Sequence, residues 1–137
     1  MSARSKARRR ALDILFEADV RGDDPEAVLR SHGERRTAMG NPPLNDYTAD
    51  IVSGVGRHLG EIDDIINATS VGWQVDRMPA VDRAAVRIGV WELVWSRDVP
   101  RGAVISEAVA AVKELSTDES PTFVNGLLAK VSERGAG

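Results

Sequence analysis

The sequence predicts an all-α protein. Three observations carry that prediction. Apolar residues recur at spacings of three and four along most of the chain, the period of a helix face. Sustained apolar–polar alternation is absent, and no hairpin turn is read: there is no Asp-Gly, and the one Asn-Gly pair, Asn125-Gly126, lies in an apolar run of helical spacing. Alanine, the best helix former, is abundant, whereas the aromatics number only 3 Trp, 1 Tyr and 2 Phe. No internal repeat is evident.

The first helix is expected over about Ala3–Val20, with Ala7, Ala11, Ile14, Leu15 and Ala18 as its apolar stripe and Leu12 and Phe16 beside it. Gly22 ends it. Asp24-Pro25 supplies a cap and a first-turn proline for a second helix to about Arg36. Residues 37–44 read as a loop, the best candidate for a hinge or a boundary between two halves. Asn45 or Asp46 caps a third helix carrying Tyr47, Ile51, Val52 and Val55, whose end is blurred by Gly54, Gly56 and Gly60. A fourth fits Glu61–Thr69, and residues 70–78 connect it onward past Trp73. Pro79 opens a fifth helix to about Trp95, apolar around much of its circumference and therefore central. Pro100 and Gly102 break the chain before a sixth helix over about Ala103–Leu115. Ser120-Pro121 opens a seventh through Val124, Leu127, Leu128 and Val131. Seven helices joined by short loops make a bundle.

A chain of 137 residues holds one domain, with 42% apolar and 28% charged residues, an ordinary globular balance. The absence of cysteine excludes disulfides, thiolate metal sites and a cysteine nucleophile. His32 and His58 have no local ligand pattern, so no metal or other cofactor is expected. No apolar run approaches the length of a membrane span, and no secretory signal follows the basic N-terminus. The expected location is the cytoplasm.

The charge is uneven. The net charge of −3 combines 18 cations with 21 acids. Arg4, Lys6, Arg8, Arg9 and Arg10 all fall in the first ten residues, where there is no acid, leaving 13 cations against 21 acids elsewhere. Cations at a helix N-terminus oppose the macrodipole. The pairs Arg4/Arg8 and Lys6/Arg10 repel at i,i+4. Stability alone does not place five cations there. A ligand carrying phosphates removes the conflict, and Arg grips phosphate in bidentate fashion and stacks on bases. The bland alternative is a solvated basic terminus. Phe16, farther along the same helix, is a candidate for stacking on an RNA base or for the core.

Other motifs lead nowhere comparable. Gly54-Val-Gly56-Arg-His-Leu-Gly60 has the wrong spacing for a dinucleotide loop and follows no strand. Glu61/Asp63/Asp64 and Asp118/Glu119 read as solvated acids, the latter suited to a helix start. Trp91 and Trp95, one turn apart, read as core, or as a partner surface if exposed. No nucleophile, metal cluster or cofactor motif is assembled, so the chain is not expected to be an enzyme.

Four blocks then resemble the NusB family of bacterial transcription antitermination factors. They are Arg8-Arg9-Arg10-Ala11-Leu12-x-x-Leu15-Phe16; Val81-Asp82-Arg83-x-x-x-Arg87-x-x-x-Trp91-Glu92-Leu93; Asp98-Val99-Pro100 with Val104-Ile105-Ser106-Glu107-Ala108-Val109 and Ala111-Val112-Lys113; and Glu119-Ser120-x-x-Phe123-Val124-Asn125-Gly126-Leu127-Leu128. The resemblance spans nearly the whole chain. It implies an all-α, seven-helix bundle of two three-helix subdomains plus an additional helix, with subdomains at about 1–70 and 71–137. It implies a non-catalytic factor that binds the boxA element of ribosomal RNA leaders together with the ribosomal protein NusE, in an antitermination complex on RNA polymerase. By position, Arg4, Lys6, Arg8, Arg9, Arg10, Phe16, Glu119 and Phe123 would meet RNA, and Asp76 and Asp82 would meet NusE. Phe16 and Trp91 stand where the family often has Tyr. Ser106 stands where it usually has Asn, a change expected to weaken a buried hydrogen-bond network. The chain has no room for the RNA methyltransferase to which NusB-like domains are sometimes fused, so a free-standing factor is expected. The competing class is a helical protein–protein module or homodimer whose basic N-terminus is incidental.

Overall fold

In the first helix, α1 (Ala3–Arg21), the Ser2 side chain caps the N-terminus by accepting from the Ser5 N–H at 3.1 Å. Gly22 ends it in the left-handed conformation (φ 71°), and the Asp23 N–H turns back onto the Ala18 carbonyl. The computed structural model describes residues 2–96 and 98–135. The described residues form seven α-helices and one 3-10 turn, with no strand. The chain divides into two compact units, Met1–Arg57 and His58–Gly137.

The first unit holds α1, α2 (Pro25–Ala38) and α3 (Asp46–Arg57), each packed on the other two. The predicted stripe of α1 is its buried face: Ala7, Ala11, Leu12, Ile14, Leu15 and Ala18. α3 answers with Ile51, Val52 and Val55. Asn45, of the two predicted caps, makes the capping bond, its Oδ1 accepting from the Tyr47 N–H at 2.8 Å. The buried Thr48 hydroxyl donates to the Ala7 carbonyl at 3.0 Å and ties α3 to α1. α2 runs two residues beyond the predicted end. The segment after it, read from sequence as a hinge between halves, lies inside this unit, where the Arg36 Nε–H donates to the Pro42 carbonyl at 2.7 Å.

The second unit holds α4 (Leu59–Thr69), the 3-10 turn Val75–Arg77, α5 (Ala80–Trp95), α6 (Arg101–Leu115) and α7 (Ser120–Gly135). α5 is central as predicted, packing on α4, α6 and α7. Its buried face includes Ala84, Ala85, Val86, Ile88, Val90 and Leu93. The division falls at 57/58 rather than near 70, because α4 buries Ile62 and Ile66 and packs on α5 and α7. The Arg87 guanidinium grips the Asp63 carboxylate with two bonds of 2.9 Å, fixing α5 to α4. Arg83 closes the 3-10 turn by donating to the Val75 and Met78 carbonyls. Gly102, read as a breaker, sits in the first turn of α6, whose cap is Pro100.

Two expectations are corrected here. Ser106 is exposed, so the exchange of Asn for Ser disturbs no buried network at that position. Asp82 is 0% exposed. Its Oδ2 accepts from the Ser120 hydroxyl at 2.8 Å, and its Oδ1 has no hydrogen-bond partner among the described residues. An acid in the first turn of α5 suits the helix dipole, and this one holds the start of α7. It offers no surface to a partner.

Among the described residues, no helix is long and apolar enough to cross a membrane.

Candidate nucleic-acid interface

The five N-terminal cations separate into two faces because alternate positions on a helix point apart. Arg4 and Arg8 turn toward α3. Their guanidinium carbons lie 4.6 and 5.7 Å from the centroid of the Tyr47 ring. Both separations are within cation–π range. Arg8 is only 9% exposed, so little of it is open to a ligand. Tyr47, placed by sequence on the third helix without a role, thus accounts for two of the cations that stability seemed not to explain. Arg9 is half-buried. Lys6 and Arg10 are exposed and have no ion-pair partner among the described residues. They line a cavity of about 240 Å³ that Arg36 of α2 also lines. Arg36 was not singled out in the sequence. α2 is polar on most sides, so nothing local marks one of its arginines above the others.

Phe16 is 36% exposed, with its ring on the surface as stacking requires. Six residues past Arg10, it stands about 9 Å farther along the helix axis. Its cavity of about 350 Å³ is also lined by Asp13, Glu17, Val20 and Arg21. The hydrogen bond with His32 at 3.1 Å holds the Glu17 carboxyl below its ordinary value of 4.5, with the charges of His32, Arg21 and Arg35 helping. Glu17 is therefore ionised at neutral pH, and Phe16 has two acids for neighbours. Base stacking, rather than phosphate contact, is the interaction this position offers.

Phe123 and Glu119 belong to the second unit. Glu119 is exposed, immediately before α7. Phe123 is half-buried and meets the Trp73 ring edge-on at 5.3 Å between centroids. Trp73, 38% exposed, was placed in a connection by sequence and given no role there. Asp76 is exposed on the 3-10 turn. Neither Trp91 nor Trp95 is exposed; Trp95 stacks on His58 at 4.4 Å. No group of three or more potential metal ligands occurs among the described residues.

Exposed cations and surface aromatics on a helical scaffold are features of the polyanion-binding class of protein. Comparison with known proteins is in keeping with that class. The chain matches the NusB family over residues 5–133. It is 56% identical over 131 residues to the transcription antitermination protein NusB of a Nocardioides species, covering 96% of this chain and 94% of the relative. Its fold superposes on T. maritima NusB with a TM-score of 0.83 at 27% identity, covering 99% and 94% of the two chains. It also superposes, with a TM-score of 0.82 at 30% identity and 96% coverage of each chain, on a crystal structure of antitermination factors NusB and NusE in complex with double-stranded RNA. The chain belongs to the NusB family, and is a non-catalytic transcription antitermination factor.

Proposed function

We propose that the chain acts by binding boxA-type single-stranded RNA of ribosomal RNA leader transcripts, together with the ribosomal protein NusE, within the antitermination complex on RNA polymerase. The observation that carries the reading is the pair Lys6 and Arg10, like charges one turn apart on α1, exposed and without an ion-pair partner among the described residues. The solved relative in complex with NusE and double-stranded RNA supports NusE and an RNA as partners, and the exposed aromatics favour a single strand.

In this reading Lys6 and Arg10 neutralise backbone phosphates. Arg4, Arg8 and Arg9 add to the positive potential of the helix, two of them held over Tyr47. Phe16 and Phe123 stack on unpaired bases, each worth about 1–3 kcal/mol. Glu119 accepts hydrogen bonds from base amino groups. NusE is met through the second unit, with Asp76 as the exposed acid and Asp82 acting only through the placement of α5 and α7.

Size-exclusion chromatography with light scattering tests the assembly. The chain mixed with NusE and boxA RNA is expected to elute as a complex of one copy of each. A homodimer that persists with both ligands present and takes up neither contradicts the reading.

A further inference from the structure

The cavity lined by Lys6, Arg10 and Arg36 has a chemistry of its own. Lys6 and Arg10 come from α1, one turn apart, and Arg36 from the last turn of α2. No carboxylate is among the residues that line the cavity. Of its two neutral polar side chains, Asn45 keeps its donors for a ligand, whereas Thr48 has spent its one donor. The Asn45 Oδ1 is taken by the Tyr47 N–H, which leaves the amide N–H groups as what Asn45 offers. The Thr48 hydroxyl is committed to the Ala7 carbonyl.

Arg36 is also set in place. Its Nε–H is held by the Pro42 carbonyl at 2.7 Å, which fixes the plane of the guanidinium and leaves the outer N–H groups for a ligand. A cation near the end of α2 suits that helix dipole, so its sign alone needs no ligand. The same argument runs against Lys6, near the first turn of α1, and Arg10 one turn on repels it. Three cations around one cavity of about 240 Å³ repel one another until an anion enters.

Resting on the RNA-binding reading, we propose that this cavity holds one phosphate group of the RNA backbone and that Arg36 fixes its position. The ligand class is a tetrahedral oxyanion. Free phosphate shares that chemistry, and the test separates the two sources.

The first arm titrates the full chain with inorganic phosphate against sodium chloride of equal ionic strength, read by NMR. Shifts are expected at the Arg36 Nε–H and the Asn45 side-chain amide, with little change in the chloride control. Equal shifts in both titrations overturn the site. The second arm measures single-stranded RNA binding over a salt series for the wild type and Arg36→Gln. Losing one phosphate contact should flatten the slope of log K against log salt by about 0.7 and weaken binding about fivefold at 0.1 M salt. Wild-type binding with the same affinity and slope in the variant overturns the inference and leaves the RNA reading intact. Absence of wild-type binding overturns both. Phosphate shifts without any effect on RNA assign the cavity to a free anion and overturn the backbone assignment. If Arg36→Gln loses its thermal transition, Arg36→Lys replaces it. Lysine keeps the charge and should keep the slope, but it loses the held guanidinium plane and should bind RNA more weakly. Unchanged affinity in Arg36→Lys counts against the positioning role.

Discussion

Replacing Lys6 and Arg10 together by glutamine is expected to weaken RNA binding about 25-fold at 0.1 M salt and to flatten the salt slope by about 1.4. Both figures follow from two released phosphate contacts on a single strand. The same variant should fold at least as well as the parent. The exchange removes an i,i+4 repulsion and, at Lys6, a cation near the first turn of α1, each worth about a few tenths of a kcal/mol. A melting temperature that holds or rises while affinity falls separates loss of a ligand contact from loss of structure. The exchange suits Lys6 and Arg10 and does not suit Arg4 and Arg8, because the latter pair packs on Tyr47 and its removal also disturbs the joint between α1 and α3. Unaltered affinity in a folded Lys6→Gln, Arg10→Gln variant would remove these residues from the interface. Anisotropy for affinity and a thermal melt for stability check both halves.

The largest effect on stability is expected from Gly89→Val. Gly89 lies on the buried face of α5, and a Cβ there would stand 2.7 Å from Leu128 Cδ1 and 2.9 Å from Cδ2. Those methyls end a side chain, but Leu128 is fully buried, so its neighbours must shift with it. Glycine in a helix gives up about 1 kcal/mol relative to alanine, and the contact between α5 and α7 is the reason to retain it. Overpacking of this kind typically costs about 1–3 kcal/mol, and the branched valine should fall near the upper end. Gly33→Ala in α2 is the control. A Cβ there meets nothing within 4 Å, so the helix gain should appear without a steric cost. Urea unfolding of the three proteins measures the differences. A Gly89→Val chain as stable as the parent would show that Leu128 yields freely and that the close approach of α5 and α7 is not fixed by glycine.

The helices were legible because their determinants are local. The stripe of α1, the Asn45 cap and the all-round apolar α5 each follow from spacing within one segment. What depends on long-range pairing was not legible. Ile62 and Ile66 mark an apolar face on α4 but do not say that α5 and α7 cover it, so the division between units was placed too late. Asp82 reads as an exposed first-turn acid until Ser120, 38 residues on, is brought against it. The same limit holds for the site. The cations were visible as a cluster. Their separation into a pair over Tyr47 and a pair facing Arg36 requires α2 and α3 to be packed beside α1.

The central claim is selective recognition of RNA through the N-terminal helix with NusE as partner. Fluorescence anisotropy of boxA RNA against a scrambled RNA of equal length, with and without NusE and across a salt series, tests it most directly. The account predicts tighter binding of boxA, a further gain when NusE is present, and affinity that falls as salt rises. Equal binding of both RNAs, unchanged by NusE, would contradict it and leave α1 as a nonspecific basic surface.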